Sequence, residues 1–173
     1  LLQGDSSFET GCGNIITGSF SGKATCTVKC GNAADGKAFA ELNFISVAKT
    51  QNRLFHVSQE QDGKIFTFSV YAKSNTEGLN CRLSMIQNNW TNTITGNYLP
   101  LTREWKRYTV AGKLKKGEYW LCVEADKPGT VDVDAFQLEQ TTKASPYKNQ
   151  DGIYLGLSIP GESSYVFFEN EKV

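Results

Sequence analysis

Runs that alternate apolar and polar residues, cut at intervals by turn-forming clusters, confine this chain to sheet architecture. The clearest is Val131-Asp132-Val133-Asp134-Ala135-Phe136-Gln137-Leu138-Glu139. Val131, Val133 and Ala135 fall on one side, and Asp132, Asp134 and Phe136 on the other. A two-residue period puts successive side chains on opposite faces of a strand. Comparable runs predict strands at 38–47, 53–59, 64–73, 80–88, 94–101, 104–111, 118–126 and 130–140, with one or two short strands more between Ile15 and Cys30. The breaks contain Asp62-Gly63, Asn75-Thr76-Glu77-Gly78, Lys116-Gly117 and Lys127-Pro128-Gly129, which supply turn conformations that β-branched residues resist. No long segment carries the 3.6-residue apolar repeat of a helix. The fold class is all-β, a β-sandwich of two antiparallel sheets.

The jelly-roll topology, in which eight strands pair as two sheets of four, is what the chain's resemblance to a known family implies. In that topology one sheet takes 38–47, 130–140, 64–73 and 104–111, and the other takes 53–59, 118–126, 80–88 and 94–101. Alternation then orients the second sheet. Tyr119, Leu121, Val123, Ala125, Leu83, Met85, Phe55 and Val57 face the core. Trp120, Cys122, Glu124, Arg82, Ser84, Ile86, Leu54, His56 and Ser58 face outward.

Composition excludes some functions. Eighteen basic residues balance eighteen acidic ones, and no basic run exceeds Lys115-Lys116, so nucleic acid meets no electrostatic footprint. No apolar stretch approaches the roughly 20 residues needed to span a bilayer, and membrane insertion is not expected. Leu1-Leu2 is not a signal peptide, which leads to the expectation of a mature or trimmed chain. Five cysteines (Cys12, Cys26, Cys30, Cys81 and Cys122) cannot all pair with one another. The spacing of Cys26 and Cys30 does not suit zinc. Cys81 with Cys122 is one conceivable bridge, although alternation turns Cys81 inward and Cys122 outward, so it requires either one of these orientations to be wrong or a local bulge. Cys12 with Cys26 or Cys30 is the other, and buried thiols throughout are the plainer alternative.

Four segments occur in a telling order: Gly4-Asp5-Ser6-Ser7-Phe8-Glu9, then Gly63 to Ser74, then Leu101 to Tyr108, then Val131 to Glu139. Over about residues 1–147 this resembles the jelly-roll carbohydrate-binding modules of the galactose-binding-like superfamily, families 4, 16 and 22 among them. Residues 148–173 lie outside the resemblance. Gly152 to Ser158 and Ser164 to Phe168 read as two further strands, either the start of a following sandwich domain or an added edge of the module. The resemblance implies a non-catalytic polysaccharide-binding module, secreted or at the cell surface, joined to other domains of the same protein. It also implies a structural calcium held by Glu9, by carbonyls of the Asp35-Gly36-Lys37 turn and by Asp134, with Asp5 a weaker addition. Hard cations of this kind take oxygen ligands. The plainer reading makes Glu9 and Asp134 surface acids paired with lysines.

A sugar ring needs an aromatic platform for its C–H face and amide, guanidinium or carboxylate groups for its hydroxyls. The amide-rich stretch from Gln87 to Tyr98 offers Asn88, Trp90 and Tyr98, and the outward sheet face offers Trp120, Glu124, Arg82 and His56. Against these stand a Trp90 folded back onto the sandwich edge and an ordinary solvated Arg–Glu pair. Trp105 reads as structural. Asn89-Trp90-Thr91 matches the N-glycosylation acceptor pattern. An enzyme would need a second carboxylate across a cleft from Glu124, and none is placed there. The remaining rival is a structural or adhesive spacer, which the fold alone does not exclude.

Overall fold

The computed structural model describes Phe8, residues 23–148 and four short strands beyond them. The first sheet has five strands in the order β1 (Ala24–Cys30), β2 (Ala38–Phe44), β10 (Gly129–Glu139), β4 (Ile65–Lys73) and β8 (Lys106–Lys113). The second has the order β3 (Ala48–Val57), β9 (Gly117–Ala125), β5 (Asn80–Gln87) and β6 (Thr93–Thr95), with β7 (Leu99–Pro100) also on β5. All module pairings are antiparallel. The expected partition of strands between two sheets holds, and β1 adds an edge to the first. The expected strand at 94–101 is instead two short pieces, because its register against β5 slips by one residue between the pairs Ser84–Thr95 and Cys81–Leu99.

Phe44, Phe68, Phe136, Leu42, Met85, Leu121 and Tyr119 fill the space between the sheets. Phe68 stacks on Phe136 with centroids 5.6 Å apart, and Phe55 on Tyr119 at 5.5 Å. Phe8 is buried and meets the Phe136 ring edge-on at 5.7 Å.

One assignment by alternation is corrected. Phe136 does not share a side with Asp132 and Asp134. It joins Val131 and Val133 in the core, because the register of β10 against β4 shifts between Asp134 and Gln137 and Ala135 takes φ 53°. The extra residue of a β-bulge reverses the parity of everything after it.

Past β10, the chain stays on the first sheet. The Thr67 hydroxyl donates to the Thr141 carbonyl (2.8 Å), Arg107 donates to that of Ser145, and the Lys148 amide donates to Gln137 Oε1 (3.0 Å). Further on, β11 (Ile153–Leu155) pairs with β14 (Val166–Phe168), and β12 (Ser158–Ile159) with β13 (Glu162–Ser163). Among the described residues these strands pair with each other and not with either module sheet.

Candidate functional site

The outer face of the second sheet carries the expected residues in rows set by the strand register. Glu124 lies opposite Arg82 on one side and Lys49 on the other. Two residues along β9, Cys122 lies opposite Ser84 and Gln51. Two further on, Trp120 lies opposite Ile86 and Leu54.

Glu124 is on the outward side, as alternation requires, yet it is only 4% exposed. Its carboxylate closes a four-donor cluster. Arg82 donates from Nε (2.9 Å) and Nη2 (2.7 Å) to Oε2, while Ser84 Oγ (2.6 Å) and Lys49 Nζ (2.9 Å) reach Oε1. Burial alone pushes this carboxyl up, but bonds from Ser84, Lys49 and Arg82 outweigh it and hold it below its ordinary value. The Tyr98 ring, 38% exposed, lies 4.5 Å from the Arg82 guanidinium carbon, a cation–π distance. Lys49 was not singled out from the sequence. It lay before the expected strand at 53–59, and the register shift of β3 between Gln51 and Arg53 reverses the alternation that would have turned it inward.

The other end of the face is organised by the loop between β5 and β6. Trp120 is partly exposed, and its indole N–H donates to Asn88 Oδ1 (3.2 Å). Asn88 Nδ2 in turn donates to Glu118 Oε2 (3.3 Å). Trp90 is 50% exposed and takes φ 63°, a left-handed conformation uncommon for a bulky residue. Its amide closes a turn on the Gln87 carbonyl (2.8 Å). Thr91 Oγ1 donates to Gln87 Oε1 (2.8 Å), Gln87 Nε2 donates to the Lys116 carbonyl (2.9 Å), and the Tyr119 hydroxyl donates to Asn92 Oδ1 (2.7 Å). A ring rooted in the core thus anchors the loop that carries Trp90, which is half exposed there. Gly117 takes φ 138°, and a Cβ there would come within 2.5 Å of Gln87 Nε2, so glycine is needed where β9 passes beneath this loop.

His56 is not brought to the charged cluster. It is exposed opposite Glu118, six residues along β9 from Glu124, or roughly 20 Å at the usual strand rise. A cavity of about 180 Å³ opens beside Arg82 between Leu83, Asn97, Leu99 and Tyr108. That is small beside pockets that enclose whole ligands, so the sheet face and not this cavity is the surface of interest.

The cysteines are corrected. Cys81 faces the core and Cys122 the opposite side of the sheet, so they do not bridge; both are free and buried. Burial pushes each thiol up to about 12, leaving them unreactive. Cys30 is free and exposed, and Cys12 lies outside the described residues.

Asp134 sits on the outer face of the first sheet, fully buried beneath the turn at 34–35. Its Oδ2 accepts the Ala34 and Asp35 amides (both 2.8 Å), and its Oδ1 accepts that of Ala135 (2.7 Å). It is thus not a surface acid, and what reaches it from this turn is N–H rather than C=O. Burial outweighs these three bonds and pushes its carboxyl up to about 7. Lys37 offers its carbonyl, which already accepts the Gly31 amide (2.9 Å). Glu9 and Asp5 lie outside the described residues, and among the described ones no three His, Cys, Asp or Glu side chains converge as a metal site. Trp105, expected to be structural, is partly exposed and packs against the first sheet. Its indole donates to the Asn32 carbonyl (2.8 Å), its ring meets Phe39 edge-on, and Lys73 Nζ lies 4.5 Å from its centroid.

No protein-family model matches this sequence, and no curated protein matches it. Solved structures do. The CBM22-1 xylan-binding domain from Paenibacillus barcinonensis superposes with a TM-score of 0.62 at 16% identity, covering 83% of this chain and 97% of that one. The enzymatically active domain of bacteriophage CBA120 tailspike protein 4 gives 0.60 at 14% identity, covering 82% of this chain and 21% of that one. A CBM61 module in complex with β-1,4-galactotriose gives 0.55 at 15% identity, covering 79% and 95%. Identities this low speak to fold alone. The chain has the jelly-roll sandwich fold found in carbohydrate-binding modules.

Proposed function

We propose that this chain is a non-catalytic glycan-recognition module within an exported or cell-surface protein. The observation that carries the reading is the outer face of the second sheet, with aromatic and polar groups grouped at its two ends. Trp120, Trp90 and Asn88 stand at one end and Tyr98 with Arg82 at the other. Trp120 and Glu124 are four residues apart on one strand, about 13 Å, which exceeds one sugar ring. Both ends are held by side-chain bonds before any ligand arrives, and pre-organisation of this kind lowers the cost of binding. Glu124 has no lone pair left for proton transfer, so the face is equipped for recognition. Two modules in the fold comparison are described as binding xylan and galactotriose. Tethered to a partner domain, such a module would raise its local concentration at the glycan.

A glycan array probed with the whole chain is expected to give binding to at least one polysaccharide with no release of reducing ends. Silence across a broad array would leave the spacer reading in its place.

The reading includes a structural calcium at Asp134. A buried carboxyl pushed up to about 7 costs stability as pH rises from its ordinary 3.8 through 7, because the folded state then holds a charge it disfavours. A bound cation reverses that sign. In excess chelator, the melting temperature is expected to fall between pH 4 and 7, and saturating calcium to raise it at pH 7 by mass action. Asp134→Asn should remove both responses. Identical melting curves with calcium and with chelator would discard the metal.

A further inference from the structure

The charged end of the recognition face has a polarity that its residue types alone do not reveal. Glu124 accepts four hydrogen bonds, two on each oxygen. A carboxylate has about four acceptor directions, so none is left for a ligand hydroxyl. What the cluster turns outward is donors only. Arg82 spends Nε and one Nη2 proton on Glu124, and the paired edge formed by Nη1 and the second Nη2 proton makes no bond among the described residues. Its side chain is 31% exposed, and that of Lys49, with two further ammonium protons, 17%.

The charge is also lopsided. Asp126, whose field reaches Tyr98, is tied to Asn80 at 3.0 and 2.6 Å and neighbours Lys127. Arg82, Lys49 and Lys127 against Glu124 and Asp126 leave one positive charge in excess.

We infer that the Arg82–Lys49 end of this face takes the carboxylate of a uronic acid residue, so that the glycan bound is an acidic polysaccharide. This rests on the glycan-recognition reading above. The free guanidinium edge is planar and matches a carboxylate with two parallel N–H···O bonds, which a lone sugar hydroxyl cannot accept. Tyr98 against Arg82 and Glu124 beneath it fix the plane in which that edge points. Lys49 supplies a second cation on the other side of Glu124. A neutral sugar can accept from this edge through adjacent hydroxyls, but it brings no charge to match the two cations.

The test uses the whole chain with polygalacturonate, alginate and glucuronoxylan, each beside its carboxyl-reduced, neutral counterpart, in affinity electrophoresis or calorimetry. At least one acidic polymer is expected to bind tenfold or more tighter than its reduced form at low salt, a factor in keeping with charge-assisted hydrogen bonds. The ratio should shrink as sodium chloride rises. Arg82→Lys keeps a cation on Glu124 but removes the fork, and should erase most of the preference while the melting temperature confirms folding. Equal affinity for the acidic and reduced polymers would overturn this inference and leave glycan recognition standing. Should no polymer bind, acidic or neutral, and the broad array also be silent, both readings fall.

Discussion

Replacing Glu124 with alanine is expected to destabilise the fold by about 3 kcal/mol, on the order of 10 °C in melting temperature. The carboxylate is buried and holds cations from two strands together with the Ser84 hydroxyl. Removing it leaves Arg82 and Lys49 crowded with no counter-charge. Arg82 is about one-third exposed and can turn toward water, which keeps the cost at the lower end of the range for broken buried pairs. The sign of the pH dependence follows from the depressed carboxyl. Its contribution is present above its ordinary value of 4.5 and is lost as pH falls through the lower folded value. Wild-type stability should therefore drop in acid below about pH 4.5, and the Ala variant should lose that part of the limb. Urea titrations across this range measure both effects. A melting temperature within 2 °C of wild type would show that the cluster is not a structural element.

Trp120→Ala and Trp90→Ala are each expected to weaken binding to the best glycan by roughly thirtyfold or more, the 2 kcal/mol typical of a true hot spot. Asn88 orders Trp120, and the same loop presents Trp90, so the two indoles belong to one end of the face. The stability responses should differ. Trp120 lies opposite Ile86 on the sheet and its loss should also lower the melting temperature, whereas Trp90 is half exposed. Trp120→Phe should recover part of the affinity, since a ring platform survives. If a glycan binds and neither alanine variant alters its affinity, the binding surface lies elsewhere on the sandwich.

Much of this was legible in the order of residues. Alternation along 118–126, 80–88 and 53–59 correctly separated Tyr119, Leu121, Val123, Leu83, Met85, Phe55 and Val57 from Trp120, Glu124, Arg82 and His56. A strand's period is local, so a single chain suffices to read it. The partition of strands between two sheets followed from the jelly-roll topology that the family resemblance implies.

Three features were decided only by the tertiary structure. The bulge after Asp134 sends Phe136 inward, because packing against Phe68 and Phe8 overrides local alternation. Outward does not mean exposed for Glu124: cations from β3 and β5 close over it, and no pattern within β9 announces them. Asp134, an acid in an alternating run, is buried because a turn a hundred residues earlier lays its amides on it. In each case the deciding partner lies far away in sequence. Periodicity fixes which side of a strand a residue takes, and only the packed fold fixes what waits for it there.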